Sequence, residues 1–271
     1  LSLAQQVKIK GRVVDNSNNE PLEYVTVYLN STTFGAVTNQ SGEFNISAPP
    51  GEYEIVVSYL GYTPIIHQVK AEGELPPFLF KLSASEELLN EVKVEAKRDI
   101  SWYQNLKVFK DSFLGTSKNA QRCKLLNPEV LIIDFDPATG VLKVKARDLL
   151  KIENPELGYR INYLLADYKY SMFEHYLAYS GYPNFEEMQA GRAKMKKYER
   201  KRLKAYNGSV MHFVRSLRAQ KLEEEGFVLR RLVRKPNPNR PGEEEIRRAR
   251  EIIQAKGSDF ILKEDDPLAI T

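Results

Sequence analysis

Ser209 and His212 are the pair of potentially reactive side chains with the most suggestive spacing. A hydroxyl and an imidazole three residues apart could act as a nucleophile and its base. Asn207 and Gly208 break the preceding helical pattern, however, so Ser209 also stands where a helix N-cap is expected, and its oxygen would then accept a backbone N–H. We favour the cap and predict no catalytic residue here.

Two further candidates for chemistry have simpler structural interpretations. Asp134 and Asp136 flank Phe135 and could project as paired carboxylates from one face of a strand, but aspartate is also common at hairpin ends. Cys123 is the only cysteine, so it cannot form an internal disulfide. We predict that Cys123 is a small, buried apolar group rather than a nucleophile.

The three histidines do not form a recognisable metal site. A zinc carboxypeptidase needs a His-x-x-Glu pair and a distant histidine, and neither His67, His175 nor His212 is followed by glutamate at that spacing. The sequence also lacks a G-x-S-x-G elbow, a Gly-rich phosphate loop and a Cys-x-x-Cys pair. We therefore predict no metal, no cofactor and no enzyme. An enzyme of unrecognised class centred on His212 or a carboxylate is the alternative.

Charge is divided unevenly along the 271 residues. Residues 1–96 hold 6 Lys and Arg against 12 Asp and Glu, a net charge of −6, whereas 190–235 hold 15 against 4, a net charge of +11. Such a basic excess attracts polyanions, such as nucleic acid, anionic lipid headgroups, lipopolysaccharide or acidic polysaccharide. A solvated helix face is the alternative. The candidate polyanion-binding residues are Lys194, Lys197, Lys201, Lys204, His212, Arg215 and Arg218, of which the lysines share one helix face.

Short alternating segments separated by turn residues fill the first third of the chain. This spacing, without a helical pattern, predicts an all-β sandwich of seven or eight strands over residues 7–96. Gly42 is expected to take a positive φ in a tight turn. The predicted strands are 7–13, 24–29, 36–38, 43–47, 53–59, 62–69, 77–82 and 91–95.

Residues 97–271 mix helical and strand patterns and are predicted to form an α+β domain. Asp136 to Gly140 form a strong hairpin signal between two apolar runs. The predicted helices are 102–114, 185–206, one from Ser209 to near Gly226, and 243–256, with a short one carrying Ala120 and Cys123. The predicted strands are 131–135, 141–144, 159–165, 173–179 and 227–233.

Several motifs of the first third occur in the order of a known family. They are Gly11-Arg12-Val13-Val14-Asp15, Glu20 to Val27, Thr38 to Phe44, Pro50-Gly51-Glu52-Tyr53 and Tyr59-Leu60-Gly61-Tyr62. This segment resembles the carboxypeptidase-like regulatory domain, a transthyretin-like sandwich. It also resembles the N-terminal extension of starch-utilisation-type TonB-dependent outer-membrane transporters, including its closing segment Leu89 to Val94.

The resemblance implies an accessory module rather than a peptidase or a transporter. Residues 1–6 resemble the end of a signal peptide and the start of a mature chain, which predicts export to the periplasm or outer membrane. The sequence has no apolar run long enough for a membrane-spanning helix. We expect a non-catalytic docking or binding scaffold of the cell envelope, whose partner is another envelope protein or an anionic glycan or lipid surface. The polyanion surface is a second possibility, although nucleic acid is not the expected partner.

Overall fold

The computed structural model describes residues 6–85 and 99–230, and beyond these 242, 244–248 and 251. The chain divides into two units, Leu1–Asn207 and Gly208–Thr271. The predicted signal-peptide remnant, the closing segment 89–94 and the predicted boundary at 96/97 lie essentially outside the described residues. The predicted domain limits therefore stay predictions.

Seven strands form in the first third because apolar and polar residues alternate along them. In β1, Val7 and Ile9 are buried while Lys8 and Lys10 are exposed, as a half-buried strand requires. The predicted strand at 91–95 lies outside the described residues. The strands are β1 Val7–Asp15, β2 Thr26–Leu29, β3 Gly35–Val37, β4 Glu43–Ala48, β5 Gly51–Ser58, β6 Ile65–Ala71 and β7 Phe78–Leu82.

These strands build two sheets with one apolar core. The first sheet has the order β4-β1-β7 and the second β3-β2-β5-β6. Gly42 takes a φ of 73° in the turn before β4, as predicted. The predicted sandwich is thereby confirmed. Its core contains Ile9, Val13, Val25, Val27, Leu29, Phe44, Ile46, Ile55, Val57 and Leu82.

The following region of the first unit is a six-stranded sheet with two α-helices. Short 3-10 turns lie at Ala120–Arg122 and Pro128–Val130. The strand β12 pairs with β10, β11 and β13, all antiparallel. The elements are α1 Ile100–Phe113, β8 Lys124–Leu125, β9 Leu131–Asp136, β10 Val141–Ala146, β11 Leu150–Asn154, β12 Tyr159–Ser171, β13 Tyr176–Glu187 and α2 Arg192–Tyr206.

Aromatic side chains hold α1 on one face of this sheet. The buried Phe109 ring meets the Tyr168 ring edge-on at 4.9 Å, and the Phe113 ring meets Tyr163 at 5.1 Å. The Ser112 hydroxyl lies 2.5 Å from the Tyr168 hydroxyl, so the buried phenol is satisfied. The predicted α+β character of this region is confirmed.

Three predicted elements were placed wrongly. The strand predicted at 173–179 instead spans Tyr176–Glu187 and runs through Gly181 and Pro183. The carbonyl of Pro183 points away from β12 and accepts the Ser31 N–H. The proline nitrogen lies on that same outer side, so no bond within the sheet is lost. The helix predicted from 185 consequently begins only at Arg192, and 227–230 form no strand.

The turn between β2 and β3 of the sandwich lies against the edge strand β13. The N–H of Phe185 donates to the carbonyl of Thr32 at 2.9 Å, and the hydroxyl of the buried Tyr28 donates to the carbonyl of Tyr182 at 2.7 Å. Burial, and after it the neighbouring Tyr163 and Tyr182, raise the pKa of Tyr28. The Phe185 N–H and the Pro183 carbonyl are outward backbone groups that an edge strand would otherwise leave unpaired. Together with the Tyr28 bond, these contacts fix the sandwich to the sheet.

In the second unit, α3 spans Val210–Arg218. The predicted helix after Ser209 is confirmed, but it ends before the expected Gly226.

Candidate functional site

The basic helix α2 is anchored through the turn between β11 and β12. The Tyr198 ring is 3% exposed and lies directly over Gly158, where an added Cβ would come within 2.3 Å of the ring. Arg202 donates to the carbonyls of Leu157 and Gly158 at 2.8 and 3.1 Å, and its guanidinium lies 3.8 Å from the centre of the Tyr159 ring. One face of α2 therefore has a structural role.

Lys201, one of the predicted polyanion-binding residues, lies at the edge of that anchored face. Its ammonium group pairs with the carboxylate of Glu156, which also pairs with Arg122. The side chain of Glu156 is only 13% exposed, so the two cations neutralise a carboxylate that has lost most of its water. Lys201 thus carries an internal ion pair rather than an open charge.

The other three predicted lysines lie on the exposed surface of α2. Lys194, Lys197 and Lys204 are all exposed, and the Lys194 ammonium lies 5.6 Å from the centre of the Tyr198 ring. Lys196 and Arg200 are exposed as well, and sequence reasoning did not select them. Both could have been identified from the sequence, because at 100° per residue they lie on the opposite side of the helix from Tyr198. The cationic surface of α2 is therefore Lys194, Lys196, Lys197, Arg200 and Lys204, and Arg192 is exposed in its first turn.

The three remaining predicted residues belong to α3 of the second unit. Arg215 and Arg218 are exposed, whereas His212 is 7% exposed. The Nδ1 atom of His212 accepts the N–H of Gly208 at 3.1 Å, and Nε2 lies 3.0 Å from a carboxylate oxygen of Glu225. Because Nδ1 is an acceptor, the neutral ring donates through Nε2 to Glu225. His212 thus ties the helix to the segment that follows it.

Ser209 caps α3, as predicted. Its hydroxyl oxygen accepts the backbone N–H of His212 at 3.2 Å, while the imidazole is engaged by Gly208 and Glu225. The arrangement therefore uses Ser209 and His212 to begin and hold a helix.

The hairpin aspartates and the cysteine also have structural roles. Asp136 accepts the N–H of Ala138 at 2.9 Å and the hydroxyl of Thr139 at 2.6 Å. The hydroxyl of Thr139 and then the Ala138 N–H hold the pKa of Asp136 below its usual value, so the predicted hairpin end is confirmed. Asp134 lies opposite Lys143 on the neighbouring strand. Cys123 is half-buried, and burial raises the pKa of its thiol.

The sandwich carries an open groove of about 590 Å³ that is lined by residues of β1, β3, β4 and the start of β7. The exposed side chains of Lys10 and Arg12 lie along it, and Arg12 Nε donates to the carbonyl of Ser41 at 2.7 Å. We call this cavity the sandwich groove. Its lining is Lys10, Gly11, Arg12, Ala36, Val37, Asn39, Glu43, Phe44, Asn45, Pro77 and Phe78.

The sandwich groove combines apolar walls with charge. Val37 is 56% exposed and Phe78 is partly exposed, so apolar surface is available beside the two cations. Glu43 is the one carboxylate in the lining. The groove therefore matches a ligand that presents an apolar group next to a negative charge.

The part of the chain that the structure describes has neither a candidate metal centre nor a helix that could span a membrane. In that part no three His, Cys, Asp or Glu side chains gather in a way that could hold a metal ion. Among the same residues, no helix has both the length and the apolar character needed to cross a bilayer.

Comparison with protein families identifies the sandwich. Residues 9–94 match the model of the CarboxypepD_reg-like domain, so this segment is a carboxypeptidase-regulatory-like domain, as its motifs predicted. The chain is also similar to the TonB-dependent receptor SusC of Bacteroides thetaiotaomicron, with 36% identity over 165 residues. That alignment covers 58% of this chain and 16% of the receptor. The chain thus spans only a small part of this relative.

Solved structures show weak likenesses. One is a cohesin–X-dockerin complex from Acetivibrio cellulolyticus, with 18% identity, a TM-score of 0.27 and coverage of 36% of this chain and 83% of that one. Another is a putative membrane-associated protein of unknown function from Bacteroides fragilis, with 14% identity, a TM-score of 0.24 and coverage of 59% and 64%. TM-scores this low do not establish a shared fold or function.

Proposed function

We propose that this chain is a non-catalytic docking protein of the cell envelope, and that the sandwich groove is its contact surface for a partner protein. The observation that carries the proposal is the groove itself, which places Lys10 and Arg12 beside the apolar surface of Val37 and Phe78. An extended partner segment with an apolar side chain next to an acidic one would fit this lining.

The hydrogen bonds that join the sandwich to the following sheet support a docking role. The β2–β3 turn of the sandwich is bonded to β13 through backbone groups and through Tyr28, which leaves the groove residues free of that contact. A module fixed on one side and open on another can hold a partner at a set position relative to the following sheet. Binding to a preformed surface also costs little conformational entropy.

The family and the relative support the envelope location. The sandwich is a regulatory-like domain, and the similar protein SusC is a TonB-dependent receptor. We propose that this chain is likewise exported. Fractionation of cells that produce the full protein tests this point, because recovery in the cytoplasmic fraction would contradict it.

Site-specific photo-crosslinking tests the docking surface. A photoreactive amino acid replaces Lys10 in one variant and Lys8 in the other. Both lysines are exposed on β1 and face the same way, but only Lys10 lines the groove. We expect one envelope protein to be captured from position 10 and not from position 8. Equal capture from both positions, or capture from neither, would contradict the groove as the contact surface.

A second function is favoured by the cationic surface of α2. Six exposed cations lie on this helix, Arg192 included, whereas Glu199 is the only acidic residue within it. We propose that this surface binds a polyanion of the envelope that carries phosphate or carboxylate groups. Arg215 and Arg218, on α3 of the second unit, stay separate candidate contacts. Lys201 and His212 are less suited to this role because of their internal partners.

Heparin chromatography tests this second function. The double charge reversal Lys197→Glu and Lys204→Glu should lower the salt concentration needed for elution, because exposed charges attract a polyanion over roughly a Debye length. The matched control reverses Lys8 and Lys151, which are exposed and lie outside both proposed surfaces, so the change in net charge is equal. If both double variants elute alike, only net charge matters and the α2 surface is not a binding site.

A further inference from the structure

The helix α3 leaves an apolar stripe uncovered. At 100° per residue, Val210, Val214 and Leu217 fall within about 60° of arc on one side of the helix. Their exposed fractions are 79%, 50% and 50%, and the neighbouring Met211 is 52% exposed. We call Val210, Val214 and Leu217 the α3 stripe. A helix of a folded unit normally turns such a stripe toward its core.

The α3 stripe is not simply the result of a loosely held helix. The other side of α3 is covered, since His212 and Ser216 are buried and the Phe213 ring meets Phe227 at 5.4 Å. Ser216 also donates its hydroxyl to the carbonyl of His212 at 2.7 Å. The helix therefore has a fixed inner face and presents the stripe outward.

Charges are placed asymmetrically around the α3 stripe. Arg218 and Arg215 follow the stripe on one side of the helix, and α3 contains no acidic residue. Of the nearby carboxylates, Glu225 bonds to His212 on the inner face and Glu224 pairs with Lys221. Glu223 is exposed in the turn beyond the helix. The stripe is thus bordered on its own helix by cations only.

We propose that α3 binds the surface of an anionic phospholipid bilayer, with the stripe among the acyl chains and the arginines at the headgroups. This is the arrangement of an interfacial amphipathic helix, which lies in the plane of the membrane and buries its apolar face only 5–10 Å deep. Arg215 and Arg218 would meet the negative headgroups. Val228 and Leu229 are 79% and 65% exposed and are followed by Arg230. They offer further exposed apolar side chains next to a cation in the same unit.

A bilayer fits the size of the surface better than a second protein does. A nine-residue helix is about 14 Å long, and one stripe of that length is far smaller than the roughly 800 Å² per partner of a stable protein interface. Insertion into a membrane needs no matching partner surface. This inference concerns the second unit and does not depend on the sandwich groove.

Vesicle binding by the full chain tests the proposal. The vesicles contain phosphatidylcholine with or without phosphatidylglycerol, and bound protein is measured by flotation. Leu217→Glu should lower the partition coefficient on the anionic vesicles about tenfold, because removing a half-exposed leucine from water is worth a factor of that order. The matched control is Leu203→Glu on α2, where the leucine is 59% exposed and should contribute nothing.

A fluorescent probe separates insertion of α3 from electrostatic adsorption through α2. The probe is attached at Val210→Cys in a Cys123→Ser background, and circular dichroism checks that each variant folds. We expect a blue shift of the probe on anionic vesicles and a smaller one on phosphatidylcholine alone. Binding without a blue shift, equal loss in Leu217→Glu and Leu203→Glu, or no vesicle binding would each overturn the proposal. So would a dimer that Leu217→Glu dissociates while vesicle binding is unchanged.

Discussion

Replacing Gly158 by alanine tests how α2 is held on the sheet. Gly158 takes a φ of 68° in the turn between β11 and β12, a left-handed conformation that costs an ordinary residue roughly 1–2 kcal/mol. The added methyl group would also lie 2.3 Å from the buried Tyr198 ring. Overpacking of this kind costs about 1–3 kcal/mol, so the free energy of unfolding should fall by roughly 3 kcal/mol.

Gly61→Ala is the matched control for this prediction. Gly61 has a φ of 82°, and no heavy atom lies within 4 Å of its would-be Cβ. This variant therefore has the conformational cost without the contact with an aromatic ring. For a unit of this size about 1 kcal/mol shifts the midpoint of thermal unfolding by roughly 2–4 °C. Gly158→Ala should lower that midpoint by roughly 6–12 °C, about twice as much as Gly61→Ala.

Thermal unfolding by circular dichroism and hydrogen exchange of α2 are the assays. Exchange in α2 should rise in Gly158→Ala and stay unchanged in Gly61→Ala, because only the first displaces the helix. In a Tyr198→Leu background, the cost of Gly158→Ala should shrink toward that of Gly61→Ala, a non-additivity expected of residues in contact. Equal destabilisation by the two alanine variants in the native background would refute the contact between Gly158 and Tyr198.

Three further substitutions test other contacts. Tyr28→Phe removes the hydrogen bond to Tyr182 between sandwich and sheet, and should lower the free energy of unfolding by about 1 kcal/mol in urea denaturation; an unchanged midpoint would contradict that bond. Glu156→Gln releases Lys201 and should raise the salt concentration at which the protein elutes from heparin, whereas unchanged elution would show that Lys201 was already open to the polyanion. Hydrogen bonds from side chains near Asp15 lower its pKa from 3.8 to about 2, so the stability they give is complete above pH 3.8 and lost as the pH falls toward 2. Asp15→Asn should abolish this part of the acid dependence. If the midpoint of thermal unfolding falls equally in variant and wild type between pH 3.8 and pH 2, the prediction is wrong.

The hydrogen bonds behind the Asp15 prediction come mainly from Ser17, with a further one from the Tyr62 hydroxyl at 2.7 Å. Tyr62 shows the reciprocal effect, since the bond to Asp15 raises its pKa to about 12. The Ser17 bonds arise within a local turn. The Tyr62 bond connects the end of β1 to the turn after β5, and it could not be predicted from sequence spacing.

The sandwich was predictable because its signals are local. Alternation along Val7–Asp15 and the turn at Gly42 each follow from a few neighbouring residues. The end of β13 was not predictable, because a proline normally interrupts a strand. Pro183 is tolerated because its nitrogen faces the outer side of this edge strand, where its carbonyl accepts the N–H of Ser31 of the sandwich, a contact between residues distant in sequence. The same late end of β13 delays the start of α2.

Some features of the candidate site could likewise be predicted from local sequence signals, and others could not. The cap at Ser209 and the shared face of the four predicted lysines on α2 could each be inferred from residue spacing within a single helix. The role of Lys201 could not, because its partner Glu156 lies in the turn before β12. His212 was a candidate contact from its charge and position, yet its burial depends on Glu225 and Phe227. The sandwich groove combines residues of β1, β3, β4 and the start of β7, so only the folded sheet reveals it.

The most direct test of the docking role is the affinity of the partner captured at position 10 for three forms of the protein. We compare wild type, Lys10→Glu and Lys8→Glu by isothermal titration calorimetry. The groove predicts that Lys10→Glu weakens binding roughly fivefold, the factor that corresponds to about 1 kcal/mol for an exposed ion pair. Lys8→Glu should bind as the wild type does. Equal affinities for all three, or equal weakening by the two charge reversals, would contradict the groove as the site of docking.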